Sequence, residues 1–531
     1  MTMMQMLLMA TSSLTPLPDA YLDLDFASNS YRLADTASSY DAAFVGASPK
    51  LTYATTSNST MVDSSGNLVW APHNLVDYSE DFEQWSGNVG VTLDSSTATD
   101  PLGGFTASTY SGFSVGTNSR LSEVFIAARN FKCTFAIWLK GTAGETIELE
   151  LDTNGAAENE ITFTGSWQLE TISNDNPTTG RVRIINRSNS ADVVSVWGAH
   201  VYRSDLGGMA PVPGAATGFE TYVPTNGSAE YLPRVGHHVY DTTTSAWVNE
   251  GLLLESEART NLLLSTATLS TQSATVTAVP HTLSFTGTGT VTLSGVSTDG
   301  PLVGTGTGEN NRVNLTFTPT AGTLTLTVSG TVSNAQLEVG STPSSYMPSN
   351  ATTQGSRAAQ TLDVPPAEFG WNSSGMSFAM EGRMTYTDNG TGANINSGDH
   401  QFFSISQSLT NYILHGISTT ASRTGQPIAE QRSSAQNGVS GVRISSLGGG
   451  QDFAPGVLVP YNVSARHSTA GVQGANEGTA NSFTATPTDK VTLADLSNES
   501  LEFGVKYMGT IRQFRQWDED IGETGIEEAS S

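Results

Sequence analysis

Apolar and polar residues alternate with a period of two through most of this chain. In Tyr21-Leu22-Asp23-Leu24-Asp25-Phe26 the leucines and Phe26 share one face and the two aspartates the other, as on a half-buried strand. Glu145 to Asp152, Thr290 to Val296 and Leu315 to Val328 alternate in the same way. Phe131 to Gly141 is apolar on both faces and predicts a central strand, with Cys133, Phe135, Ile137 and Leu139 turned to one side. Gly165 to Glu170, Arg181 to Ile185 and Val193 to His200 add further strands. Turn chemistry separates these runs. Asp63-Ser64-Ser65-Gly66-Asn67 between two apolar stretches predicts a hairpin, and a second hairpin is expected between Tyr231 and Trp247.

The chain has 531 residues, which calls for three or four cores rather than one. Only 14% of residues are charged, and Ser, Thr and Gly dominate. The pattern predicts an all-β protein of tandem β-sandwich (jelly-roll) modules joined by hairpins and short linkers. Five regions are expected. Residues 1–70 form an N-terminal arm and hairpin region, and 71–205 a first β-sandwich. Residues 206–260 form a Gly/Pro-rich connector and hairpin, 261–361 a second and shorter sandwich, and 362–531 a third. The two middle modules read as a repeat. Asn261-Leu262-Leu263 takes the role of Asn74-Leu75-Val76, and Ser345-Tyr346-Met347-Pro348 parallels Thr221-Tyr222-Val223-Pro224. Residues 1–20 read as an irregular arm, either docked on a neighbour or disordered. The acidic tail, 518–531, is expected to fray.

A net charge of −27, with 23 scattered Lys and Arg, argues against nucleic acid as a partner. The Met-rich start, Met1 to Ala10, lacks a basic leader, and no apolar run approaches the ~18 residues of a membrane span. One cysteine, Cys133, rules out an intrachain disulfide and a Cys-based zinc site; it reads as a small core residue.

Candidate chemistry is sparse. Glu148, Glu150 and Asp152 share one strand face and offer the paired carboxylates that a glycosidase uses. With Ile147, Leu149 and Leu151 facing the core, the acids are expected to face water, and no catalytic residue is assigned. His237 and His238 are adjacent on a strand and point apart, so they cannot hold one metal ion. Asp388-Asn389-Gly390 and Asp152-Thr153-Asn154-Gly155 are turn sequences that do not complete a calcium loop. No phosphate-binding loop or cofactor motif is present. Trp85, Trp138, Trp167, Trp197 and Trp517 are expected to pack in cores. Trp371, after Pro366 and before Asn372-Ser373-Ser374-Gly375, is the tryptophan expected to be exposed and is the candidate glycan-binding residue.

Two stretches resemble bacteriophage virion appendage proteins, the fibres and spikes of tails and heads. One is Gly251-Leu252-Leu253-Leu254-Glu255-Ser256-Glu257-Ala258-Arg259-Thr260-Asn261-Leu262-Leu263. The other is Asn74-Leu75-Val76-Asp77-Tyr78-Ser79-Glu80-Asp81-Phe82-Glu83-Gln84-Trp85. Residues 71–205 resemble, strand by strand, the carbohydrate-binding-module-like jelly roll of such fibres. His200-Val201 stands where the family has Gln-Leu. The closing strand Gly509 to Asp518 is similar to that of a concanavalin/laminin-G-like domain. The resemblance implies a non-enzymatic virion structural protein, assembled in the host cytoplasm, that attaches to host-surface glycans and contacts other virion proteins. It implies a homo-oligomer, often a trimer, and leaves room for a structural calcium ion in the C-terminal domain. A decoration or cement protein without ligand and a polysaccharide depolymerase are the alternatives. Head and tail attachment, host and glycan identity are not legible.

Overall fold

The computed structural model describes residues 17–531 apart from 47, 116–117, 126–129, 153–156, 188, 388–399, 418–424, 435–452, 470, 481–492 and 505. Apart from short helical turns and one α-helix, its regular elements are β-strands. They build three sandwiches, each with its own apolar core.

In the first sandwich a four-stranded sheet (Ser119–Val124, Arg181–Asn186, Thr146–Leu151, Ala157–Thr162) faces a five-stranded one. The latter runs in the order Gln168–Asn174, Cys133–Lys140, Val194–Arg203, Ala107–Ser111, Thr92–Ala98. Cys133–Lys140 is an interior strand, and Cys133, Phe135, Ile137 and Leu139 enter the core from it. The second sandwich is smaller, with a four-stranded sheet against a three-stranded one around Leu283, Phe285, Leu324 and Leu337.

These two sandwiches share their fastenings. The Asn74 amide donates to Ala199 O (2.9 Å) and Val223 O (2.8 Å), and its Oδ1 accepts from the N–H groups of Val76 (3.1 Å) and Val201 (3.0 Å). Asn261 does the same with Ala335 O (2.9 Å), Met347 O (3.1 Å), Leu263 N–H (3.2 Å) and Leu337 N–H (3.2 Å). Beside each, a tyrosine hydroxyl meets another hydroxyl, Tyr222 with Ser79 at 3.0 Å and Tyr346 with Thr266 at 2.9 Å. Each closing strand also carries a bulge at a residue with positive φ, Gly198 (+65°) and Asn334 (+49°). Asn tolerates that conformation where Gly is absent. At Gly198 a Cβ would come within 2.9 Å of the Trp138 ring, so glycine is required there on contact as well.

The third sandwich is assembled from both ends of the chain. Its strand Met508–Trp517 pairs along one edge with Gly375–Tyr386. Along its other edge lie two strands end to end. Leu22–Asp25 pairs with residues 513–516, and Leu252–Glu255 pairs with 508–511. In the facing sheet Thr361–Val364 pairs with Thr52–Ala54. The alternation in 21–26 did mark a half-buried strand, with Leu22 and Leu24 buried. However, 22–38 and 52–54, expected in a separate N-terminal region, belong to the C-terminal sandwich, and so does 252–255, expected in the connector. The reason is the open edge of Met508–Trp517, whose unpaired backbone groups need partners that the 362–531 segment does not supply there.

The described end of the N-terminal arm follows the same rule. Trp517 Nε1 donates to Pro18 O at 2.8 Å, so this part docks on its own chain; residues 1–16 lie outside the described residues. The tail is not frayed. Gly522–Ala529 is an α-helix with Ile526 and Ala529 buried, and Arg515 donates to Ala529 O at 2.8 Å.

Candidate functional site

The acidic strand face is closed to water, contrary to expectation. Glu150 and Asp152 are buried, and Glu148 is half-buried. Arg183 pairs with Glu150 at 2.9 Å, and Arg187 reaches Glu148 (2.8 Å), Glu150 and Glu158. Burial raises the Glu148 carboxyl above the usual range, against the pull of Arg187. Asp152 accepts from the N–H groups of Thr178 (2.7 Å) and Thr179 (3.1 Å). Arg183 and Arg187 therefore offset the acids along an interior strand of the sheet. Glu148, Glu150 and Glu158 are also the carboxylates that lie close enough together for a cation, and the Arg187 guanidinium already supplies that charge. The Asp388-Asn389-Gly390 turn lies outside the described residues, as do positions 153–155 of the other turn.

His237 is buried and His238 half-buried; His237 Nδ1 accepts from Val62 N–H at 3.1 Å, and His238 Nδ1 donates to Gly236 O at 2.8 Å. The structure also brings together histidines far apart in sequence. His415 Nε2 and His467 Nε2 lie 2.7 Å apart inside the third sandwich, beside Phe378 and Phe403. Spacing along the chain carried no sign of this pair, because the two residues sit on strands of facing sheets.

The aromatic residues divide into two groups. Trp85 and Trp517 are buried. Trp371, expected to be exposed, is instead half-buried, because its ring rests against the core of the third sandwich. Trp138 and Trp197 are buried too, but not between the sheets. They lie opposite one another on the outer face of the five-stranded sheet, with ring centroids 5.3 Å apart. The connector lays Phe219 on Trp138 (5.0 Å, 18° between planes) and Tyr222 on Trp197 (4.7 Å).

The edge of this aromatic face is open. Trp167 is half-buried and donates Nε1 to Thr99 O at 3.1 Å. From Thr99 the chain enters a loop held by Asp100, whose carboxylate accepts from Leu102, Gly104 and Thr106 N–H at 2.9, 3.0 and 3.2 Å. Thr106 Oγ1 in turn accepts from Trp197 Nε1 at 2.8 Å. The loop presents Leu102 and Phe105, which are 52% and 68% exposed. An aromatic outer face with an exposed aromatic rim, held on a hydrogen-bonded loop, can offer flat rings to a ligand or partner. The sequence listed Trp138, Trp167 and Trp197 but gave no sign that they share one outer face, since this depends on strand register and on the connector folding back.

No protein-family model matches the chain, and no curated protein matches it. Three solved structures similar to parts of it are as follows. The structure of TmCBM61 in complex with β-1,4-galactotriose has 18% identity over 24% of this chain and 98% of that one, TM-score 0.19. The CBM22-1–CBM22-2 tandem domain of Paenibacillus barcinonensis Xyn10C has 11% identity over 51% and 98%, TM-score 0.21. The enzymatically active domain of bacteriophage CBA120 tailspike protein 4 has 14% identity over 24% and 21%, TM-score 0.20.

Proposed function

We propose that this chain is a virion appendage protein of a bacteriophage, a tail or head fibre or spike that attaches to host-surface glycan through its β-sandwich modules. The glycan reading rests on one observation, the aromatic outer face of the first sandwich with exposed Phe105 and half-buried Trp167 at its rim. The connector covers Trp138 and Trp197 with Phe219 and Tyr222, and the rim beyond them, at Phe105, stays open to a partner. Flat rings suit the C–H faces of pyranoses, and the nearby hydroxyl and backbone groups suit sugar hydroxyls. Trp371 is a second candidate contact, on the third sandwich.

The virion reading is supported by the residue matches of Asn74 to Trp85 and Gly251 to Leu263 to the appendage family. No catalysis is proposed, because Glu148, Glu150 and Asp152 are engaged by arginines and backbone N–H groups. A homo-oligomer, such as a trimer, would form through sandwich faces or the arm, as the chain has no heptads.

The test is to locate the protein on intact particles by cryo-electron microscopy and to screen the full chain against a glycan array. Density on an appendage, with glycan binding lost in Phe105→Ser and Trp167→Ala, supports the reading. Density on the particle without glycan binding turns it into a decoration protein. Absence from the particle overturns it.

A further inference from the structure

Between the second and third sandwiches, the two hairpins and the strand Leu252–Glu255 line a partly open cavity of about 260 Å³. Its walls are apolar: Met61, Val239, Trp247, Leu253, Leu458 and Met508. Trp247 is held edge-on by Gly66, whose Cβ would lie 2.3 Å from the indole, and by Tyr240 at 5.3 Å in a T-shaped pair.

The charged groups in the wall are spent on one another. Glu255 pairs with Arg234 (2.8 Å) and Arg357 (3.0 Å), and Arg312 pairs with Glu309 (3.3 Å). Each charged group in the wall therefore already faces a partner of opposite sign.

A neutral polar group stands beside them. The His237 ring lines the cavity and is 5% exposed. Its Nδ1 accepts the Val62 N–H, so in the neutral ring the proton sits on Nε2. Burial, with Arg234 second, holds the ring neutral by pushing its pKa down to about 3. Nε2 has no hydrogen-bond partner among the described residues and is left free to donate to a ligand.

From this geometry we infer that the junction cavity is a binding site for a neutral ring with an apolar face and one acceptor oxygen. The ring lies against Trp247 and the aliphatic wall, and the oxygen accepts from His237 Nε2–H. An apolar cavity of about 150 Å³ already holds benzene, so this one has room for a substituted ring. The site is separate from the aromatic face of the first sandwich and does not depend on the glycan reading. An acetamido sugar and an aromatic alcohol both present this chemistry.

The test is to titrate the full chain with N-acetylglucosamine and with 2-naphthol, using saturation-transfer NMR and calorimetry. Saturable binding of either probe supports the site, and the probe that binds identifies the source. Leu68→Trp fills the cavity from a half-buried rim position and should weaken binding at least tenfold. His237→Asn keeps an acceptor for Val62 N–H but lacks the Nε2 donor, and should weaken binding by about five- to tenfold. Phe105→Ser should leave it unchanged, which separates this site from the rim of the first sandwich. Thermal unfolding checks that each variant is folded. Failure of both probes to bind the folded wild-type chain overturns the proposal, as does binding that survives Leu68→Trp.

Discussion

Arg234 and Glu255 meet at 2.8 Å with almost no exposure, at the point where the second hairpin's strand crosses the one that joins the second and third sandwiches. Around them lies a dense network. Arg234 also donates to Thr60 O (3.1 Å) and Gln360 Oε1 (2.5 Å), and Ser345 donates N–H and Oγ–H to Glu255 at 2.8 and 2.6 Å. Arg357 pairs with the same carboxylate and donates to the Glu255 and Glu257 carbonyls at 2.9 Å each. Burial alone would raise the Glu255 pKa; Arg357, Arg234 and Ser345 together hold it well below the carboxylate range. Glu255→Gln leaves two buried guanidiniums without their counter-charge. Removing one partner of a buried pair costs about 3–5 kcal/mol. Because the network joins 60, 234, 345 and 357, the loss should appear as earlier denaturant unfolding of the second and third sandwiches together. An unchanged midpoint would show that the network does not couple them.

Acid should destabilise the protein before its carboxylates titrate. Burial pushes His73, His237 and His467 down to about 3 and His200 to about 4. His415 is held well below its ordinary value by burial and by His467. These rings are neutral when folded, whereas unfolded histidine titrates near 6.5. As pH falls below about 6.5 the unfolded chain takes up protons that the folded chain refuses. Stability is thus full above that pH and is lost toward the folded values, by about 1.4 kcal/mol per pH unit for each ring. The melting temperature should drop between pH 7 and 5. His467→Gln, which removes one such ring, should make the drop shallower; an equal slope would exclude His467 as a contributor.

Asn74 and Asn261 should be equally intolerant of substitution. Each satisfies two carbonyls and two N–H groups at the closure of its sandwich, and each is completely buried. Truncation to alanine strands several buried groups at about 1–3 kcal/mol apiece. Asn74→Ala should expose the first sandwich to limited proteolysis while leaving 261–361 resistant, and Asn261→Ala should do the reverse. Cleavage of both modules in either variant would mean that the sandwiches do not fold as separate cores.

Local pattern carried much of this architecture. Period-two alternation marked the strands, and Asn-Leu-Leu and Tyr-x-Pro marked the repeat, because each motif makes its own local set of bonds. The stretch Gly251 to Leu263 stood out as a unit, and several of its parts now have a role. Glu255 anchors the arginines, Arg259 reaches Val339 O, Asn261 fastens the sandwich and Leu263 enters its core. What the sequence hid was pairing over long separations. Nothing local says that Leu22 and Leu252 share an edge of Met508–Trp517, that His415 meets His467, or that Phe219 folds back over Trp138. The acidic strand face was misjudged for the same reason, since its counter-charges, Arg183 and Arg187, come from a different part of the chain.

Cys133 should be unreactive until the first sandwich opens. It lies in the core between the two sheets, with no measurable exposure, next to Phe135 on an interior strand. Burial pushes its thiol up to about 12, only partly offset by Arg203. The thiolate, which is the attacking form, is therefore scarce at neutral pH, and a disulfide reagent cannot reach the sulfur. Modification by a chromogenic disulfide should be slow in native buffer and should speed up at the denaturant concentration where the first sandwich unfolds. Asn74→Ala should bring that acceleration to lower denaturant, whereas Asn261→Ala should not. Fast native modification would show that the sandwich opens locally around Cys133–Lys140, and would place its weakest point in an interior strand rather than at its edges.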